Sequence, residues 1–251
     1  MKYLLSLQSE WLKTKRSSAF WLCFAGAGFI PALHLLRFLI SHTSLNDINK
    51  VANVWEGFFV QLCNPMVLFI LPMSIILIVS LLAQIEYKNN AWKQVFSSPQ
   101  TITTIFTAKF TIVILLVLTF FIVFNIGMLI SGFIPCLLFE HHLPQDTIPW
   151  LYLVKKSVNF FIFSLPIAAL QNITSLKFRQ VMVPIGSGFL WMIGTLFAIK
   201  WKYIIISPFS YNLLTMMPIK SNFNIYLCSL SSFSILICIS YVAFLKNAKR
   251  L

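Results

Sequence analysis

Along the chain, long apolar runs alternate with short polar segments, and the gaps between successive charged residues mark the pattern. Six uncharged windows emerge, at 17–36, 57–85, 110–139, 157–176, 180–199 and 221–245, none shorter than 20 residues. A helix rises about 1.5 Å per residue, so about 20 apolar residues cross the roughly 30 Å hydrocarbon core of a bilayer. The pattern therefore predicts an all-α polytopic membrane protein with six spans at about 19–40, 59–83, 110–133, 156–176, 181–199 and 224–245. An even number places both termini on one side. A seventh apolar window, YIIISPFSYNLLTMMPI (203–219), is shorter and carries Pro208, Pro218, Ser210 and Asn212. It suits an interfacial or re-entrant segment better than a span.

Two shorter stretches carry helical periodicity outside these windows. Over residues 2–13, Leu4, Leu5, Leu7, Trp11 and Leu12 share one side, and Lys2, Ser6, Ser9, Glu10 and Lys13 share the other. With the basic residues Lys13, Lys15 and Arg16 following Trp11, this suits a helix lying on the membrane surface, or a polar extension of the first span. The chain thus divides into an N-terminal amphipathic unit, 1–18, and a spanning domain, 19–251. No small-residue cleavage site follows the first apolar run, so that run is expected to be retained rather than removed.

The second stretch is QIEYKNNAWKQVFSSPQTITTIFTAK, 84–109, between the second and third windows. Within it Tyr87, Ala91, Trp92, Val95 and Phe96 occupy one arc of a helix. Glu86, Asn89, Asn90, Lys93 and Gln94 fill most of the other side, with Lys88 intruding on the apolar arc. Pro99 ends the pattern, and Ile102, Ile105, Phe106 and Lys109 restart it. An amphipathic helix with exposed Trp and Phe fits either a partner protein's groove or the lipid surface.

Composition agrees with the pattern. Hydrophobic residues make up 59% of the chain and charged residues 10%, too little charge to clothe a soluble domain of this length. The net charge of +13 divides unevenly. With the N-terminus inside, the inner segments hold 12 basic residues (Lys2, Lys13, Lys15, Arg16, Lys88, Lys93, Lys109, Lys177, Arg179, Lys246, Lys249 and Arg250), against 7 outside (Arg37, Lys50, Lys155, Lys156, Lys200, Lys202 and Lys220). The bias predicts cytoplasmic termini. Basic residues scattered at membrane boundaries, rather than gathered in a patch, argue against a nucleic-acid partner.

Chemistry is sparse. The carboxylates Glu10, Asp47, Glu56, Glu86, Glu140 and Asp146 all sit at window edges or in loops, so the span centres lack the buried charge of ion-coupled carriers. His34, His42, His141 and His142 form no H-E-x-x-H motif, and Cys23, Cys63, Cys136, Cys228 and Cys238 show no ligand spacing, so no bound metal or cofactor is expected. No glycine begins a G-x-x-x-x-G-K-[ST] phosphate loop, so the chain is not expected to be an enzyme; any ATP hydrolysis must come from another subunit.

The run E-W-x-K-x-K-R-S (Glu10 to Ser17), followed by Glu86, Pro99 and Lys109 around the second and third spans, resembles the membrane subunits of type-2 ABC exporters, particularly the small bacterial lantibiotic-immunity permeases. The resemblance implies a multi-pass protein of the bacterial cytoplasmic membrane with an N-terminal interfacial helix. It implies a cytoplasmic coupling helix seated on a separate ATPase, with Glu86, Tyr87, Lys88, Asn90, Trp92, Lys93, Val95, Phe96 and Pro99 as coupling residues. It further implies two ATPase subunits carrying ATP and Mg, and a second, identical or related permease. The absence of charge at membrane depth points to an amphipathic or hydrophobic substrate such as an antimicrobial peptide. A non-transporting assembly or anchoring subunit is the alternative.

Overall fold

The computed structural model of the protein describes residues 2–41, 53–88, 100–138, 147–178, 180–216 and 224–248, all helical or in short turns, with no strand among them. The helices are α1 (Lys2–Lys15), α2 (Ser18–Ser41), α3 (Val54–Pro65), α4 (Leu71–Lys88), α5 (Ile102–Leu138), α6 (Trp150–Lys177), α7 (Met182–Phe197), α8 (Ser210–Met216) and α9 (Ile225–Ala248). Among the described residues, five stretches are long and apolar enough to cross a membrane: Ser18–Ile40, Val54–Tyr87, Ile102–Pro135, Trp150–Lys177 and Ile225–Lys246. The expected fifth span, 181–199, corresponds to α7, an apolar helix of 16 residues. At about 1.5 Å per residue it falls short of a full hydrocarbon core.

The second span changes its helical register in the middle. Asn53 caps α3, its Oδ1 accepting from the N–H of Trp55 at 3.0 Å and of Glu56 at 3.4 Å. The helix then widens into a π-turn at Met66–Ile70, flanked by Pro65 and by Pro72, before α4 resumes. A proline cannot donate to the helical ladder, and the π-turn absorbs the mismatch. Segment 203–219 does not form a span in its described part. It contains a 3₁₀ turn at Ile204–Ile206 and the seven-residue α8, whose Ser210, Tyr211, Leu213 and Leu214 are buried against α6 and the π-turn.

α2 lies along α5, α4 against α2, α6 and α7, and α9 along α6. Close approach needs glycine at three points: a Cβ at Gly26 would meet Ser74 Oγ at 2.5 Å, one at Gly132 would meet the Trp55 ring at 2.9 Å, and one at Gly188 would meet Gln171 Oε1 at 2.8 Å and Ile76 at 2.9 Å. Gln171 Nε2 donates to Ser80 Oγ at 2.8 Å and to the Pro184 carbonyl at 2.9 Å, pinning α6 to α4 and α7. Asn172 Nδ2 donates to Ser240 Oγ at 3.0 Å and pins α6 to α9.

α9 carries a stripe of small polar residues. Ser231, Ser234, Cys238 and Tyr241 share one side of the helix by spacing, and within this chain Ser231, Ser234 and Cys238 are exposed. The two serine hydroxyls bond back to carbonyls of their own helix, Cys228 at 3.0 Å and Leu230 at 2.9 Å, so they need no neighbour. Tyr241 alone of the four packs inward, edge-on to Phe106 at 5.3 Å.

Candidate functional site

α1 does not continue into α2. The chain turns at Arg16–Ser17, where the Ser17 N–H bonds the Thr14 carbonyl at 2.9 Å, and α1 folds along α5. Its apolar side divides in two. Leu7 and Trp11 pack on the core, Trp11 edge-on to Phe20 at 6.1 Å, and Leu4, Leu5 and Leu12 remain exposed. Its polar side faces the bundle: Ser6 and Thr14 are buried, and Tyr3 and Thr111 hydroxyls lie 2.9 Å apart.

This docking creates a four-residue charge cluster from three helices. Lys13 Nζ lies 2.8 Å from Glu10 Oε1 and 3.6 Å from Glu86 Oε1; Lys109 Nζ reaches Glu10 Oε2 at 3.1 Å and also binds Glu86 Oε1. Positive and negative groups alternate and cancel. Glu86 is 3% exposed, the most deeply buried of the four. Helix dipoles do not explain these positions, because Glu86 sits in the last turn of α4, where a negative charge opposes the macrodipole. Its stabilisation comes from the two lysines brought by other helices.

The electrostatics of α1 follow from this geometry. Burial pushes the Glu10 carboxyl up, but Lys109 and Lys13 outweigh it and hold the group below its ordinary 4.5. Burial pushes the Lys13 ammonium down, but Glu10 and Glu86 outweigh it and hold the group above its ordinary 10.5. Glu86 Oε2 has no hydrogen-bond partner and sits beside a cavity of about 60 Å³, lined also by Thr14, Lys109 and Asn172. Next along α4, the Tyr87 hydroxyl donates to the Leu176 carbonyl at 2.8 Å, fastening α4 to the end of α6, and the ring packs with Ile105, Phe106, Leu176 and Phe244.

Glu10, Lys13 and Glu86, expected as candidate residues of two separate segments, therefore belong to one cluster. Lys109, a motif residue in the sequence, completes it, and Thr14 and Asn172 line its cavity without having been singled out as site residues. Their signal in the sequence is weak, since a threonine and an asparagine in helices are common. Trp11 is half-buried beside the cluster, while Lys15 and Arg16 are exposed. Lys88 is the last residue of α4; Asn90, Trp92, Lys93, Val95, Phe96 and Pro99 lie outside the described residues. No group of three His, Cys, Asp or Glu side chains among the described residues could hold a metal ion.

Residues 6–198 match the model of the ABC-2 family transporter protein, a stretch that opens within α1 and contains the whole cluster. The chain belongs to the ABC-2 transporter family. No curated protein matches it. Membership makes this a multi-pass membrane protein and a permease subunit of an ABC transporter, a family that works with a separate ABC ATPase subunit. Within this ABC-2 protein, the cluster joins the N-terminal helix α1 to the two helices flanking segment 89–99.

Proposed function

We propose that this ABC-2 protein is the permease of an ATP-driven bacterial exporter of the lantibiotic-immunity kind, moving an amphipathic or hydrophobic substrate, such as an antimicrobial peptide, out of the cell or membrane. The observation that carries the reading is the clasp on Glu86: the end of the second span is held by α1 and α5 through buried charge. A force applied to residues 86–98 by an ATPase would reach three helices at once. Residues 86–98 act as the coupling helix, with Trp92, Val95 and Phe96 as its apolar anchors and Pro99 as its end. The charged end of the bundle faces the cytoplasm with both termini. α7 crosses as a sixth span, aided by local thinning of the bilayer and by Lys200 and Lys202 at its exposed end. Two ATPase subunits supply ATP and Mg, and the permease pairs with a second copy or a related subunit; the apolar, largely uncovered faces of α2 and α9 are available for that contact.

The test is reconstitution with the cognate ATPase. Glu86→Gln, which keeps the shape and removes the charge, should leave membrane insertion intact and lower substrate-stimulated ATP hydrolysis and transport together. An ATPase that never co-purifies with the chain would favour an assembly or anchoring subunit instead.

A further inference from the structure

Beside the π-turn in the middle of the second span, α8 carries Asn212 into the interior. The side chain is 2% exposed, and neither Oδ1 nor Nδ2 has a hydrogen-bond partner. A buried amide left unmet is strongly destabilising, so its surroundings should contain a compensating group. Asn212 lines a cavity of about 10 Å³ together with Val67, Leu68 and Pro72, walled otherwise by apolar side chains such as Met192 and Phe209. Pro72 has no N–H to give. In an α-helical register the bond it fails to make belongs to the Leu68 carbonyl; in the wider π register it belongs to Val67. Both residues border the void. Whichever register holds, the residue whose carbonyl Pro72 cannot meet lines the same small space as the unmet Asn212 amide.

Inside a membrane, a proline within a helix is tolerated where side chains, water or a local π adjustment meet the freed backbone groups. Asn212 does not reach a partner directly, so the gap needs a bridging species. A cation fits poorly, because it would satisfy the carbonyl and repel the Nδ2 hydrogens. Water both accepts and donates, and the cavity has room for about one molecule. We propose that this void is a binding site for a single ordered water, which accepts from the Asn212 amide and donates to the carbonyl that Pro72 leaves unpaired. The water joins α8 to the bend of the span that ends in Glu86. This site rests on the membrane reading of the chain and not on the ATPase partner, so it stands or falls separately from the transport proposal.

The experiment is a mutant cycle on the purified full chain in detergent, read as thermal midpoint. Asn212→Leu removes the amide and the water, and should lower the midpoint by about 2–4 °C, the shift expected for one lost hydrogen bond in a protein of this size. Pro72→Ala restores an N–H to the ladder. In that background Asn212→Leu should lose most of its effect or become stabilising, because no carbonyl waits for the water. A midpoint that rises with Asn212→Leu alone would show a dry void and overturn the proposal, as would equal shifts in both backgrounds. Should these variants fail to fold, an electron-scattering map of the unmodified chain decides. A peak about 3 Å from both Asn212 and the Val67 or Leu68 carbonyl supports the site. An empty void refutes it.

Discussion

Glu10 and Lys109 stand 99 positions apart, yet Lys109 Nζ lies 3.1 Å from Glu10 Oε2. The contact fastens the surface helix α1 to the third long span, and Glu86 from the second enters the same cluster through both lysines. Neither carboxylate is well exposed, with side-chain exposures of 15% for Glu10 and 5% for Glu86. Removing a lysine therefore strands a charge that water cannot fully rescue.

Lys109→Ala should be destabilising by about 3–5 kcal/mol, the range seen when one partner of a buried pair is removed. Lys15→Ala, at an exposed position nearby, should be close to neutral. Thermal unfolding of both variants in one detergent compares them. Equal stability for the two would mean that the cluster is a solvated surface feature.

The docking of α1 should depend on pH at both extremes. Glu10 is held below 4.5, so its contribution is complete above that value and is lost as pH falls through the lowered one. Lys13 is held above 10.5, so its contribution is complete below that value and is lost as pH rises through the raised one. A spin label at Lys15→Cys, in a background without other cysteines, should report immobile α1 between these limits and release beyond them. Release near neutral pH would contradict the charge assignment.

Gly188 should tolerate no side chain. An added Cβ would meet Gln171 Oε1 at 2.8 Å and Ile76 at 2.9 Å, displacing the amide that ties α6 to α4 and α7. Gly188→Ala should destabilise by about 1–3 kcal/mol, as overpacking does. Gly186→Ala, on the same helix with nothing near its Cβ, should be neutral or slightly stabilising. Melting curves of the two alanine variants give the comparison directly.

Trp92→Ala addresses the coupling segment. An aromatic anchor in an interface centre contributes about 2 kcal/mol or more when truncated, so the variant should lose ATPase co-purification while inserting and expressing normally. Unchanged association would assign residues 86–98 to the lipid surface.

Topology supplies a further check. Single cysteines placed at positions 90 and 200, in a cysteine-free chain, should label from the cytoplasmic and the external side respectively. External labelling at position 90 would invert the orientation drawn from the basic residues.

Hydropathy and spacing were enough to determine the class of this protein and to locate five stretches long and apolar enough to cross a membrane, because bilayer thickness imposes a length and excludes charge residue by residue. The same rule read α7 as equal to the other spans, since an uncharged window records composition and not where a helix stops: the window runs 180–199, whereas the helix ends at Phe197. Periodicity gave α1 a polar and an apolar side but could not say that Ser6, Glu10 and Thr14 turn toward the protein while Leu4, Leu5 and Leu12 stay exposed. Only tertiary structure decided that Glu10, Lys13, Glu86 and Lys109 share one cluster, because their attraction acts through space between helices that nothing local in the sequence aligns. It also decided the place of Asn212, which reads as part of an interfacial or re-entrant segment until α8 carries it, buried, into a small cavity shared with Val67, Leu68 and Pro72.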